Sequence, residues 1–231
     1  MISLVISDLH IGSKGCNAKG VYKLLKKTEY DRLILVGDII DGWLFKKYKK
    51  FSDQHTKIIR LLLKISKEKE VIWISGNHDE FLRKYSPIQI GNIKIVDEFQ
   101  EGNVWFSHGD LYDGVVKLRW LGILGSIGYD LAIIIDRALK KIGAKKSLSK
   151  YLKDNVKAAV SFVTDFENEM IRQAKKRSCS TVICGHIHKP ADKLIDGVRY
   201  LNCGDWVENR SYILYASDSE FSDQKISIHE G

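Results

Sequence analysis

Five short clusters of Asp, His and Asn recur along this chain, each at the end of an apolar run that reads as a β-strand. They are Asp8-Leu9-His10, Gly37-Asp38-Ile39-Ile40-Asp41, Gly76-Asn77-His78-Asp79, Ser107-His108-Gly109-Asp110 and Gly185-His186-Ile187-His188. A chain that repeats a buried strand and then a polar turn is confined to folds in which several strands end side by side. In open α/β sheets, ligands gather outside the carboxyl ends of the strands. Five such ends bearing carboxylate, amide and imidazole groups can converge on one point, and together they supply the donors of a two-metal hydrolytic centre.

The intervening pattern supports that layout. Strands are expected over 2–7, 32–36, 71–75, 93–97, 104–107, 181–184, 199–202, 211–216 and 225–229, and helices over 19–27 and 54–67. Residues 154–176 place Val156, Val160, Val163, Phe166, Met170, Ile171 and Ala174 near one helical face, which suits core packing. Strands alternate with helices early and dominate late, which suggests an α/β fold, a layered α/β/β/α sandwich of mixed sheets. At 231 residues the chain fits one such domain with a real core.

Each cluster has its own chemical logic. Residues two apart in a strand share a face, so Asp8 and His10 can grip one cation together, and His186 and His188 repeat that spacing. Asp38, beside Gly37 at a strand end, is placed to bridge two cations through its two oxygens. Asn77 offers a neutral, hard amide oxygen. Any one of these alone would more often be a turn, a cap or a core histidine. Their joint order, placement and complementary donor types argue for a dinuclear site.

Order and spacing match the pattern D-x-H, G-D-x-x-D, G-N-H-D/E, H, G-H-x-H, and so the chain resembles the calcineurin-like metallophosphoesterase superfamily from Asp8 to His188. The resemblance implies a four-layer metallophosphoesterase sandwich. It implies that Asp8, His10, Asp38 and His188 hold one metal, and that Asp38, Asn77, His108 and His186 hold the second. It also implies that His78 is the catalytic imidazole, oriented by Asp41. Two cations about 3.5–4 Å apart can clamp a phosphoryl group and activate a water for in-line attack. The resemblance implies Mn²⁺ as the metal, and imidazole donors also suit Fe, Zn or Ni.

A narrower resemblance rests on the SDLHIG, GDIIDGW, GNHDEFLR, SHGD and NCGDW segments. They are similar to UDP-2,3-diacylglucosamine diphosphatases and their relatives, peripheral membrane enzymes of lipid A synthesis. This implies hydrolysis of the pyrophosphate of UDP-2,3-diacylglucosamine to UMP and 2,3-diacylglucosamine 1-phosphate. The best-characterised branch has Arg where this chain has His78, so the chain looks more like a second branch. Arg83 and Asn77 are the expected substrate contacts, Arg83 as a bidentate phosphate ligand. Asp205 is expected just outside the ligands.

The 78 residues from His108 to His186 exceed a minimal crossover. Residues 115–175 read as a helical insert within a single domain spanning 1–231. Between 115 and 153 there are nine Lys or Arg and two Asp, a local +7 against +8 for the whole chain. A greasy segment followed by Lys140, Lys141, Lys145, Lys146, Lys150 and Lys153 suits an anionic lipid surface, and in the resembled enzymes an insert here forms a lid over acyl chains. The expected partners are therefore a nucleotide-linked lipid and an anionic membrane surface, with nucleic acid the weaker reading and no protein partner. The four cysteines show no CxxC spacing, which argues against a zinc–thiolate site and suits reduced thiols. With no secretory signal pattern, the expected location is cytoplasmic, peripheral on the inner membrane. The competing function is a soluble phosphodiesterase, nucleotidase or nuclease of the same superfamily.

Overall fold

Alternation decides which way each apolar run faces. In the computed structural model, which describes residues 1–43, 51–113, 148–217 and 225–230, the run Arg32–Val36 is buried along its whole length. Leu33 and Leu35 face one hydrophobic cluster and Ile34 and Val36 face another. The strand therefore lies at the centre of a sheet covered on both sides.

In chain order the strands are β1 (Ile2–Ile6), β2 (Arg32–Val36), β3 (Glu70–Ile74), β4 (Ile88–Ile90), β5 (Ile93–Val96), β6 (Glu98–Glu101), β7 (Val104–Ser107), β8 (Thr181–Cys184), β9 (Ala191–Ile195), β10 (Val198–Asn202), β11 (Ser211–Ala216) and β12 (Lys225–Glu230). The helices are α1 (Ala18–Lys27), α2 (Asp53–Ile65) and α3 (Leu148–Lys176). A seven-stranded sheet runs β12-β11-β1-β2-β3-β5-β4, and a five-stranded sheet runs β6-β7-β8-β10-β9. Both are mixed. The neighbours β1, β2, β3 and β5 are parallel, as are β7, β8 and β10, while the outer pairings are antiparallel.

The sheets pack face to face through Val5, Ile34, Val36, Ile72 and Ile74 on one side and Val104, Phe106, Ile183, Leu201 and Cys203 on the other. Truncating one of these to Ala, for example Ile34→Ala, costs about 2–5 kcal/mol. The outer face of the larger sheet is covered by α1 and α2, which bring Val21, Leu24, Leu25, Ile58 and Leu62 onto Leu4, Ile6, Leu33 and Leu35. Each helix has a side-chain cap. Asn17 accepts from the Gly20 N–H and Ser52 from the His55 N–H, and Lys residues occupy each last turn. On the far face of the smaller sheet Trp105, Val182 and Tyr200 are buried. Arg177, just past α3, lays its guanidinium over the Trp105 ring at 4.3 Å.

The chain divides into two compact units, Met1–Asp110 with Met170–Gly231, and Leu111–Glu169. Residues 114–147, on which most of the expected insert and Lys140, Lys141, Lys145 and Lys146 fall, lie outside the described residues. No helix among the described residues is long and apolar enough to cross a membrane. All four cysteines are free, and three of them are buried.

Three strands have no counterpart in the sequence pattern, namely β4, β6 and β9. All three are outermost in their sheets among the described residues. β4 is exposed along its whole length and β9 across its three central residues. With one side bonded and no second buried face, such strands carry no strong alternation, and the neighbour they pair with decides them.

Candidate metal centre

The apolar strands end one to three residues before the first donor of each cluster: β1 at Ile6, β2 at Val36, β3 at Ile74, β7 at Ser107 and β8 at Cys184. The chain then turns sharply. Asp8, His10, Asp38, His186 and His188 all have positive φ, between 47° and 72°. Left-handed backbone at a non-glycine residue costs roughly 1–2 kcal/mol, and these are five of the eight such residues described. The expectation that Asp8 and His10 share a face through strand pleating is therefore corrected. Both lie beyond β1 and face together because the turn bends at each of them, with Leu9 and Ile11 driven into the core between. The same geometry places His186 and His188.

Backbone bonds zip these turns together. The Asp8 N–H donates to Gly37 O, His10 N–H to Asp38 O, Ile11 N–H to Ile39 O and Trp206 N–H to Asp8 O. Glycine is required where the turns touch. A Cβ on Gly37 would collide with His108, one on Gly76 with Asp38, and one on Gly185 with Asp8.

All seven expected metal-ligating side chains belong to the turns brought together here. Asp8 Oδ1 lies 3.0 Å from His188 Nε2, and His10 Nε2 lies 3.2 Å from His188 Nε2. His10 Nε2 is 3.8 Å from Asp8 Oδ1 and 3.9 Å from Asp38 Oδ2. Across from them His108 Nε2 is 3.4 Å from Asp38 Oδ2, and the His108 and His186 rings are 5.2 Å apart. The His108 Nδ1–H donates to Val36 O at 2.9 Å, which leaves Nε2 as the atom turned toward Asp38. His186 donates its backbone N–H to Asp8 Oδ2. Asp8, Asp38 and His108 are almost completely buried.

The donor atoms fit divalent cations. Asp8, His10 and His188 form one group whose ligand atoms lie within 4.8 Å of one another, and Asp8, Asp38 and His108 form a second. Both polar atoms of the buried Asn77 amide lack a hydrogen-bond partner in the protein. A buried amide left so is costly unless something binds it. Two imidazole nitrogens 3.2 Å apart, each bonded to a shared cation at about 2.1 Å, would have an ordinary ligand separation.

Electrostatics point the same way. Burial alone would raise the Asp8 carboxyl, but His108 and His188 beside it bring it below the usual range. Burial opposes Asp38 in the same way, and His108, His78 and His10 hold it well below its ordinary value. Burial disfavours a charged His108, yet Asp38 and Asp8 lift it to about 10. His188 is raised mainly by Asp8 against the opposing effect of burial. In the metal-free chain, then, protons sit where cations would compete for the same lone pairs.

His78 lies at the rim. Its Nδ1 is 3.3 Å from Asp41 Oδ1 and its Nε2 3.9 Å from Asp38 Oδ2. Its ring is 4.5 Å from that of His10, and Trp43 covers it at 3.9 Å. Asp41 thus stands where it can orient His78.

Arg83, the expected phosphate contact, lines a cavity with His78 and Trp43, and both of its terminal nitrogens are bonded to protein. Its guanidinium is engaged by both oxygens of Asp110, at 2.7 and 2.8 Å, and by the Ser75 carbonyl. Asp205 accepts the N–H groups of Val207, Glu208 and Asn209, and the Asn209 amide donates to the His188 carbonyl at 2.7 Å. The sequence reading gave no role to Asp79, Asp110 or Asn209. The available signal was an acid closing each of two clusters, in a place where turn N–H groups need acceptors.

Comparison with curated proteins gives no match. Among solved structures the chain is distantly similar to several. One is Vacuolar Protein Sorting 29 from Cryptosporidium parvum, at 12% identity over 100% of this chain and 98% of that one, with TM-score 0.47. Another is YfcE, a phosphoesterase from E. coli, at 13% identity over 93% and 91%, with TM-score 0.46. A third is Vps29 complexed with Zn²⁺ from Entamoeba histolytica, at 14% identity over 99% and 98%, with TM-score 0.46. Likeness this distant carries no argument. The match to the calcineurin-like phosphoesterase family runs over residues 1–190 and so takes in every turn from Asp8 to His188. On that match, the chain belongs to the calcineurin-like phosphoesterase family.

Proposed function

We propose that this phosphoesterase hydrolyses the pyrophosphate of UDP-2,3-diacylglucosamine to UMP and 2,3-diacylglucosamine 1-phosphate, with two divalent cations. Asp8, His10, Asp38 and His188 would hold one cation, and Asp38, Asn77, His108 and His186 the other. The observation that carries the chemistry is the meeting of all these turns around Asp38, with His78 at the rim. The lipid-nucleotide substrate, Mn²⁺ as the metal and a seat on the inner membrane rest on the SDLHIG, GDIIDGW, GNHDEFLR and NCGDW segments and on the basic 115–153 segment.

When bound, the cations supply Lewis-acid polarisation of the phosphoryl group and an activated water. The remaining work falls to side chains of this chain. Asp38 Oδ2 lies 3.9 Å from His10 Nε2 and 3.4 Å from His108 Nε2, and its Oδ1 accepts the His78 backbone N–H at 2.7 Å, which ties the carboxylate that would serve both cations to the catalytic turn. Asp41 Oδ1 lies 3.3 Å from His78 Nδ1, where it can orient the ring so that the opposite nitrogen faces the reacting group. There it can stabilise charge on a phosphoryl oxygen or protonate the departing phosphate. His78 is only partly buried, with 15% of its side chain exposed, as contact with substrate requires. The ligand carboxylates below it are sealed from bulk water, which strengthens their fields.

The test is to incubate purified protein with Mn²⁺ and UDP-2,3-diacylglucosamine, and in parallel with bis-p-nitrophenyl phosphate and DNA. UMP release that disappears in Asp38→Ala supports the proposal. Cleavage confined to the simple diester or to DNA replaces it with a soluble phosphodiesterase or nuclease.

A further inference from the structure

The chain leaving the Asn77–His78 turn winds into a short 3₁₀ segment, Glu80–Tyr85. Two side chains at this place reach in different directions. Asp79 is fully buried. Its Oδ2 accepts from the Ile39 N–H at 3.0 Å and the Trp73 indole N–H at 3.1 Å, and its Oδ1 accepts from the Gly76 N–H at 2.5 Å. Asp79 therefore fastens the turn after β2 to the turn after β3. Arg83 forks onto Asp110 with one guanidinium nitrogen on each carboxylate oxygen, and the second nitrogen also reaches the Ser75 carbonyl at 2.8 Å. Arg83 therefore fastens the turn after β3 to the turn after β7.

These are the turns of Asp38, Asn77 and His108. The strands β2 and β3 belong to the seven-stranded sheet and β7 to the five-stranded one, so the Arg83–Asp110 pair bridges the two sheets beside the site. A bidentate guanidinium–carboxylate pair fixes both distance and angle. Asn77 has no hydrogen bond from its own amide to hold it, so its place depends on the backbone that Asp79 and Arg83 clamp. The hydrogen bonds of these two clamps do not involve Asp8, His10 or His188.

We propose that Arg83, acting through Asp110, is a positioning residue that assembles one cation site of the pair by setting Asn77 and His108, ligands that the other site does not share. Both terminal nitrogens of the fork are spent on protein. This rests on the two-cation reading above.

The experiment is equilibrium dialysis of metal-free protein against Mn²⁺, with bound metal per chain measured for wild type, Arg83→Gln, Asp110→Asn and the double variant. Wild type is expected to bind two cations. Each single variant is expected to keep one at wild-type affinity and to bind the other about 10–100-fold more weakly, the effect of losing an outer partner of a metal ligand. The double variant is expected to be no worse than either single, because the pair acts as a unit. A loss of general stability would not weaken one site alone. Arg83→Lys keeps the charge without the fork, and its second-site affinity, expected to fall about tenfold, decides the matter if Arg83→Gln does not fold. Wild-type affinity for both cations in the Arg83 variants overturns the proposal, and a rise in KM for bis-p-nitrophenyl phosphate without metal loss returns Arg83 to substrate binding. A wild type that binds a single cation overturns the two-cation reading itself.

Discussion

At the amino ends of β1 and β2, Arg32 is buried. Its Nε donates to the Ser3 hydroxyl at 3.0 Å and its two terminal nitrogens to Glu101 at 2.8 and 2.7 Å, with Phe99 beneath. At the carboxyl ends of the same strands, Asp8 and Asp38 are just as buried, but two carboxylates and several imidazoles crowd one another there. The first cluster is satisfied by the protein itself, on ordinary strand backbone. The second gathers like charges, leaves the Asn77 amide without a partner and sits on five left-handed residues. A buried charge that the fold satisfies is there to hold the fold. A buried cluster held under strain with donor atoms to spare is there to hold something else.

The sharpest way to break this comparison is to neutralise one charge at each end. Asp8→Asn keeps an acceptor for the His186 N–H, and it should cost activity roughly a thousandfold, several kcal/mol of transition-state stabilisation. The melting temperature of the chelated variant should be no lower than that of chelated wild type. A large fall in that temperature would make the centre a structural one after all.

Metal removal comes next in size. Excess Mn²⁺ at a hundredfold over its Kd should stabilise the protein by about 2.7 kcal/mol for each site filled, read as a rise in melting temperature that a chelator reverses. The pH dependence has a definite sign. His108 and His188 both sit above the ordinary histidine value in the metal-free chain, so a cation must displace their protons. Affinity should fall as pH falls, by up to about tenfold per displaced proton per pH unit, measured by competition with a chromophoric chelator. In the metal-free protein, the contribution of His108 to stability is complete below 6.5 and is lost as pH rises through about 10. Metal-loaded and metal-free proteins should therefore respond to rising pH in opposite directions.

The opposite pole should show the reverse profile. Arg32→Met should destabilise by about 2 kcal/mol, less than the roughly 3–5 kcal/mol of a fully buried pair because Glu101 can reach water. Activity per folded molecule should not change. Urea unfolding and a diester assay on the same sample separate the two. Smallest of all is the titration of Glu101, which Arg32 holds below its ordinary value. Its contribution is present above pH 4.5 and is lost as pH falls through its folded-state value, and the acid limb of the stability curve should flatten in Glu101→Gln.

Much of this architecture is legible in the chain. Runs such as Leu33–Val36 and Val182–Cys184 have no polar residue to expose, so they must be interior strands, and the chemistry sits where those runs stop. The edge strands β4, β6 and β9 are not legible. Their residues, Glu98 and Lys193 among them, suit a loop as well as a strand until a neighbour offers its N–H and carbonyl groups. The site divides in the same way. Asp8, His10, Asp38, Asn77, His108, His186 and His188 are readable because metal donors come from few residue types at few spacings. Arg83 is not, since an arginine can serve a phosphate or a carboxylate equally well, and only the approach of β7 brings Asp110 to it.

By itself, then, the order of residues determines the burial of the central strands, the identity of the candidate donors and the family, because each is a local property of composition and period. Tertiary structure alone decides the left-handed bends that aim the donors, the partners of Arg83 and Asp79, and the strands at the sheet edges. These depend on contacts between residues tens of positions apart, and a linear pattern holds no record of which distant group will arrive.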